Sequence, residues 1–264
     1  RTYLENLGQR FGFGFPKINR CIWVHAVSVG EVQASAPMIR ALKERFPDRE
    51  LLITTVTPTG AARVRSLFGD TVQHSYIPFE FPHAIRSFFR TVNPEAALIM
   101  ETEIWPNLYR GCGTRKIPLI LVSARISPRS VPGYRKLLPL IRETLSHGII
   151  IAAQSDADAE RFLSLGAASE RTRVTGNIKF DVELPPDLAV RGQELRAQLS
   201  EAAGLDRGEQ HKRRQSEAQR GYQCTSRCTG AMQVRNRSAQ QWIARARGAF
   251  GQNTDAETDQ RERN

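Results

Sequence analysis

Three carboxylates and two guanidinium groups are the residues of this chain whose types and spacing could do chemistry: Glu31, Glu101 and Glu103, with Arg125 and Arg129. Each lies just past a run of β-branched and apolar residues, at 21–27, 95–100 and 117–122. In an open α/β sheet such positions gather at the carboxyl edge of the strands, where ligands bind. There a carboxylate can take the proton of an attacking hydroxyl, and a guanidinium offers paired N–H donors to a phosphate. Glu31 also has a structural reading. Ser28 and Glu31 spell S-x-x-E, a capping box in which Ser28 caps the helix and Glu31 reaches back to the Ser28 amide. The two roles are compatible, because a helix N-terminus favours negative charge and would keep Glu31 ionised. Glu101 and Glu103 stand two apart in a segment that reads as extended and should point the same way. They serve equally well as dipole partners for the helix that follows. Trp105, next to Pro106, offers either an aromatic wall for a sugar or acyl chain, or packing at a helix start.

These residues need a sheet to bring them together, and the hydrophobic pattern supplies one. Strand-like runs at 21–27, 50–56, 72–77, 95–100, 117–122, 149–153 and 173–175 alternate with helical periodicity at 31–46, 61–68, 82–92, 105–111, 131–146, 156–165 and 189–205. Such alternation calls for a parallel sheet with right-handed crossovers. Within 131–146, Arg135, Lys136 and Arg142 interleave with Leu137, Leu138, Leu140 and Ile141. That pattern suits a helix lying near anionic or phosphorylated lipid, and equally an amphipathic helix with a solvated charged face.

Charge and composition narrow the partners. Thirty-eight Lys and Arg against 27 Asp and Glu give a net charge of +11, which points to an acidic partner: nucleic acid, anionic lipid or a phosphorylated substrate. No apolar run approaches the roughly 18 residues that cross a bilayer, and the first residues resemble no signal peptide. Four cysteines, Cys21, Cys112, Cys224 and Cys228, form no disulfide framework, which fits a reducing, cytoplasmic setting. Cys224 and Cys228 with His211 lack a second ligand pair at finger spacing. In Asp156-Ala157-Asp158 the preceding Ser155 makes a capping signature rather than a metal site. No P-loop, dinucleotide fingerprint or serine elbow is present, and His25 reads as a satisfied core or crevice histidine. From Asp206 onward Arg, Gln, Ser and Ala dominate and large apolar residues are few. That stretch carries twelve Lys and Arg against seven Asp and Glu, and cannot bury enough surface to offset its chain entropy.

Five ordered blocks add a resemblance: His25-Ala26-Val27-Ser28-Val29-Gly30-Glu31, Thr57-Pro58-Thr59-Gly60, Glu101-Thr102-Glu103-Ile104-Trp105-Pro106-Asn107, Ser123-Ala124-Arg125-Ile126-Ser127 and Gly176-Asn177-Ile178-Lys179-Phe180-Asp181. Together they resemble the amino-terminal half of the 3-deoxy-D-manno-octulosonic acid (Kdo) transferases, over about residues 3 to 200. The resemblance implies a Rossmann-like α/β domain, the acceptor half of an inverting GT-B glycosyltransferase that moves Kdo from CMP-Kdo to the tetra-acylated, phosphorylated lipid A precursor (lipid IVA) of lipopolysaccharide. It implies no metal and no cofactor beyond that donor. Glu31 becomes the general base, and Ser28, Gly30, Thr57, Thr59, Glu101, Glu103, Trp105, Arg125 and Arg129 the acceptor site. Asn177, Lys179 and Asp181 become an interdomain hinge. The implied setting is peripheral, on the cytoplasmic face of a bacterial inner membrane, with an anionic membrane surface as a partner. The family's usual hydrophobic amino-terminal anchor is not seen in this sequence.

The expected division is a segment at 1–20, a Rossmann-like acceptor domain at 21–176, a linker and helix at 177–205, and an Arg-rich tail at 206–264. The tail does not read as the family's second, donor-binding domain. It is expected to be disordered, or an out-of-frame reading of the gene, leaving this chain alone with little or no transferase activity. Two alternatives stand beside this reading. One is a GT-B transferase for another nucleotide sugar. The other is a basic protein that binds nucleic acid through its tail; the acceptor reading itself expects no nucleic acid.

Overall fold

Seven parallel strands form one sheet in a computed structural model that describes residues 6–181 and 187–202. They are β1 (Cys21–His25), β2 (Glu50–Thr55), β3 (Gln73–Tyr76), β4 (Pro94–Met100), β5 (Leu119–Ala124), β6 (Ile150–Ala153) and β7 (Thr172–Val174). Their order is β3-β2-β1-β4-β5-β6-β7. The chain winds outward from β1 to β3, returns to lay β4 against the other side of β1, and then winds away to β7. That reversal opens a crevice at the carboxyl ends of β1 and β4, the switch point at which doubly wound sheets bind ligands.

Nine α-helices lie among the described residues: α1 (Leu7–Arg10), α2 (Val29–Arg45), α3 (Pro58–Phe68), α4 (Pro82–Val92), α5 (Pro106–Thr114), α6 (Val131–Lys136), α7 (Leu138–Leu145), α8 (Asp156–Ser164) and α9 (Leu188–Ala202). Side chains alternate across a strand, so β1 sends Ile22 and Val24 into one core and Cys21 and Trp23 into the other. The first core is closed by α2 and α3 through Val32, Ile39, Val64 and Phe68. The second is closed by α4, α5, α7 and α8 through Phe88, Tyr109, Ile141 and Phe162. Both faces of the sheet are therefore covered, which is why its strands read as nearly unbroken apolar runs.

The expected helix over 131–146 is two helices. Pro139 has no N–H and its ring would collide with the carbonyl of Arg135, so α6 must stop. The same proline is well placed in the first turn of α7. The break leaves Leu137 and Leu140 exposed while Ile141 and Leu145 are buried, so the apolar face is divided between core and surface. No helix of the described residues is long and apolar enough to cross a membrane. Cys21 and Cys112 are buried free thiols. The double proline of the linker, Cys224, Cys228, His211 and the whole of 206–264 lie outside the described residues.

Candidate active site at the carboxyl edge of the sheet

Glu31 sits in the first turn of α2, which begins two residues earlier than the periodicity over 31–46 implies. Its Oε2 accepts the Val27 amide at 2.8 Å and its Oε1 accepts the Ser28 hydroxyl at 3.0 Å. This differs from the expected capping box. Ser28 makes no side-chain cap, because its hydroxyl is turned to the carboxylate, and Glu31 reaches one residue further back than the Ser28 amide. The carboxylate is thereby held by both oxygens in one orientation. Burial pushes the Glu31 carboxyl above its ordinary range, the Val27 and Ser28 bonds pull it down, and the charges of Glu101 and Glu103 push it up again. A raised carboxyl is a better proton acceptor when ionised.

Glu101 and Glu103 are not in an extended segment. Glu101 follows β4 with φ of 56°, the left-handed region, and the chain turns there. The turn is fixed by long-range bonds: the Glu101 amide donates to the Val122 carbonyl at 2.9 Å, and the Thr102 hydroxyl donates to the Arg125 carbonyl. Glu101 then receives Arg125 Nε at 3.2 Å and Lys179 Nζ at 2.7 Å on its two oxygens. Glu103 accepts the Trp105 indole N–H at 2.7 Å, and burial raises its carboxyl. The two carboxylates still face one space, by a turn rather than by strand alternation.

That space is a cavity of about 480 Å³ lined by Glu31, Glu101, Glu103 and Arg125 among the expected residues. Its remaining wall comes from residues to which the motifs assigned no site role, including Ser127, Ser130, Tyr134, Gln154 and Arg161. Asp158 also lines it. Its amide donates to the Ser155 hydroxyl as the capping reading required, while its carboxylate accepts the Ile126 amide at 3.1 Å and Arg161 at 2.8 Å. A separation of 32 residues in sequence gave no hint that α8 lines the cavity beside β5. Among the described residues no cluster of His, Cys, Asp and Glu is built to hold a metal.

Other expected residues stand apart from the cavity lining. Thr57 caps α3, accepting the Gly60 amide at 3.0 Å, and Thr59 donates to Thr57 at 3.3 Å. Gly30 lies within α2. Trp105 packs at the start of α5 against the core, edge-on to His25. Arg129 is exposed outside the lining. Asn177 accepts the Lys179 amide at 2.9 Å and donates to Gln154 at 3.2 Å, which joins 177–179 to the sheet edge. Asp181 ends this short turn.

Two residues carry more than their sequence context suggested. His25 is buried, with Nδ1 2.9 Å from Thr54 Oγ1, but among the described residues Nε2 has no hydrogen-bond partner, so it is only half satisfied. Burial pushes its imidazole down to about 4. Glu80, from the loop after β3, accepts the amides of Asn107 at 2.8 Å and Leu108 at 3.0 Å and so closes the N-terminus of α5 from outside the helix. The helix it caps begins directly after Glu103 and Trp105. A cap supplied across 27 residues leaves no local signature.

The sequence profile described as 3-deoxy-D-manno-octulosonic-acid transferase (kdotransferase) matches residues 5–182. The 3-deoxy-D-manno-octulosonic acid transferase of Haemophilus influenzae is 38% identical over 198 residues, covering 74% of this chain and 46% of that protein. The transferase of the same name from Bordetella pertussis is 40% identical over 169 residues, covering 62% of this chain and 39% of its own length. A probable mitochondrial one from Arabidopsis thaliana is 34% identical, covering 75% and 47%. The chain thus spans about half or less of the length of these relatives. Among solved structures, a UDP-GlcNAc 2-epimerase from Neisseria meningitidis overlaps at 19% identity and a TM-score of 0.46, covering 69% of this chain and 53% of that one, too loose a match to bear on function. With the profile spanning the whole sheet and its carboxyl-edge residues, this chain belongs to the 3-deoxy-D-manno-octulosonic-acid transferase family.

Proposed function

We propose that the described fold is the acceptor half of an inverting GT-B glycosyltransferase that moves Kdo from CMP-Kdo to the phosphorylated lipid A precursor on the cytoplasmic face of a bacterial inner membrane. The observation that carries this reading is Glu31, held by the Val27 amide and the Ser28 hydroxyl at the wall of a cavity that also holds Glu101, Glu103 and Arg125. In the proposed step the Glu31 carboxylate takes the proton of the sugar's primary hydroxyl. That oxygen attacks the anomeric carbon of Kdo from the face opposite CMP, the bond to the CMP phosphate breaks, and the configuration inverts.

Arg125 is the cation placed to meet an acceptor phosphate. It is exposed and its present partner is Glu101, so a phosphate needs only to exchange with one carboxylate. Arg129 and the basic surface of α6 and α7 extend the same field. Lys179, bonded to Glu101, ties the segment at 177–181 to the acceptor site, which is where a hinge to a donor domain would act.

The test is binding of the purified lipid A precursor by the unchanged chain, by Glu31→Ala, and by Arg125→Ala with Arg129→Ala. Binding that the arginine pair weakens and Glu31→Ala leaves intact supports the reading. Absence of binding by folded protein overturns it.

A further inference from the structure

An exposed aromatic surface lies away from the cavity wall, where the amino-terminal segment meets the loop after β3. Phe13 is 68% exposed, Phe81 46%, Phe11 40% and Phe79 37%. Three of these rings form one cluster. Phe11 meets Phe79 edge-on at 5.3 Å and stacks on Phe81 at 6.3 Å, and Phe79 meets Phe81 at 6.1 Å. A contiguous exposed apolar patch of this kind marks an interaction site.

The cluster is also rigid. The Phe79 amide donates to the Arg10 carbonyl at 2.8 Å, and the Arg10 guanidinium is buried over the Tyr76 ring at 4.6 Å while donating to the Val56 carbonyl. Gly12, with φ of 98°, lies so close to α4 that a Cβ there would stand 2.8 Å from the Ala84 Cα, and the Ser87 hydroxyl donates to the Gly12 carbonyl at 2.6 Å. The loop carrying Phe11 and Phe13 is therefore clamped onto the first turns of α4.

Charge identifies the occupant. His83 stacks on Phe81 at 5.8 Å, and His83, Arg86 and Arg90 are all exposed at helical spacing along α4. The helix has no acidic residue, and Glu80, the nearest in sequence, is turned to the start of α5. Rings at one end of a uniformly basic helix face match the boundary between headgroups and acyl chains of an anionic bilayer, where aromatic side chains settle and cations meet phosphates.

We propose that Phe11, Phe13, Phe79 and Phe81, flanked by His83, Arg86 and Arg90, form a bilayer-docking surface that inserts its rings into the headgroup region of anionic membranes. This deepens the membrane location given above by naming the surface that makes contact. Because β3 ends at the carboxyl edge of the sheet, the loop that follows it places the rings on the edge that carries Glu31 and Glu103. A lipid substrate could then reach the cavity from the bilayer without being fully extracted.

The test uses the full chain and vesicles of phosphatidylethanolamine with phosphatidylglycerol, containing no lipid A precursor, so its failure and the failure of acceptor binding are separate results. High salt screens the attraction of the basic tail for anionic headgroups. Under those conditions the chain should still float with the vesicles, and Phe11→Ser, Phe13→Ser and Phe81→Ser together should weaken partitioning by about tenfold or more. At low salt, Arg86→Glu with Arg90→Glu should reduce the preference for anionic over neutral vesicles. A folded Phe13→Trp variant should show a blue-shifted indole emission that brominated lipids quench, relative to the unchanged protein as blank. Flotation at high salt that the serine variant leaves unaltered, or an indole at position 13 that brominated lipid does not quench while the protein is vesicle-bound, overturns the proposal.

Discussion

Removing the carboxylate of Glu80 should destabilise the fold far more than removing its charge. The carboxylate accepts two backbone amides of α5, from Asn107 at 2.8 Å and Leu108 at 3.0 Å, and the Glu80 carbonyl accepts the Asn107 side-chain amide at 2.8 Å. Losing a helix cap destabilises by about 1 kcal/mol, and a second amide left unpaired beside the buried Leu108 adds about 1–2 kcal/mol. Glu80→Ala should therefore lower the unfolding free energy by about 2–3 kcal/mol and the midpoint of thermal unfolding by roughly 5–10 °C. Glu80→Gln keeps one acceptor oxygen and should cost about 1 kcal/mol or less. Burial raises the Glu80 carboxyl above its ordinary 4.5, so the folded state takes up this proton before the unfolded chain does. That contribution is fully present below 4.5 and is lost as pH rises through the folded value. The gap between the unchanged protein and Glu80→Gln should accordingly narrow as pH rises from acid to neutral. Urea unfolding of the three proteins across that range reads all of this. If Glu80→Ala and Glu80→Gln cost the same at neutral pH, or if Glu80→Ala costs under about 0.5 kcal/mol, the cross-chain cap is not what holds the start of α5.

In a chain that carries a donor domain, Glu31→Gln should leave lipid binding unchanged and lower Kdo transfer by about 10²–10⁴-fold, since an amide can keep both the Val27 and Ser28 bonds but cannot take a proton; single-turnover rates decide it. His25 moves from 6.5 down to about 4 on folding because burial opposes its charge, so its stabilising contribution is present above 6.5 and is lost, by about 3 kcal/mol, as pH falls towards 4. His25→Gln should flatten that part of the stability profile in urea titrations, measured against the unchanged protein because the raised carboxyls of Glu31, Glu80 and Glu103 act in the opposite sense. Gly12→Ala should cost about 2 kcal/mol or more, from a positive φ and the approach of its Cβ to the Ala84 backbone, visible as a lower unfolding midpoint.

Period and composition alone determined the architecture of this protein. Seven runs of β-branched and apolar residues, each followed by a helical period, admit little other than a parallel sheet with both faces covered, and the strands lie where those runs are. The same reasoning placed Glu31, Glu101 and Arg125 at one edge, because a residue just after a parallel strand has nowhere else to be. Tertiary structure decided what those groups touch. The S-x-x-E spacing marked the helix start, yet the carboxylate bonds to Val27 because the strand-to-helix turn presents that amide instead. Glu101 and Glu103 face one cavity through a left-handed turn imposed by Val122 and Arg125, a conformation that side-chain types do not encode for a glutamate. The helix expected over 131–146 failed at Pro139, a local signal outweighed by a regular apolar period. Glu80, Asp158 and the phenylalanine cluster escaped sequence reasoning for one reason. Each depends on partners tens of residues away, and such contacts exist only once the sheet has brought its edges together.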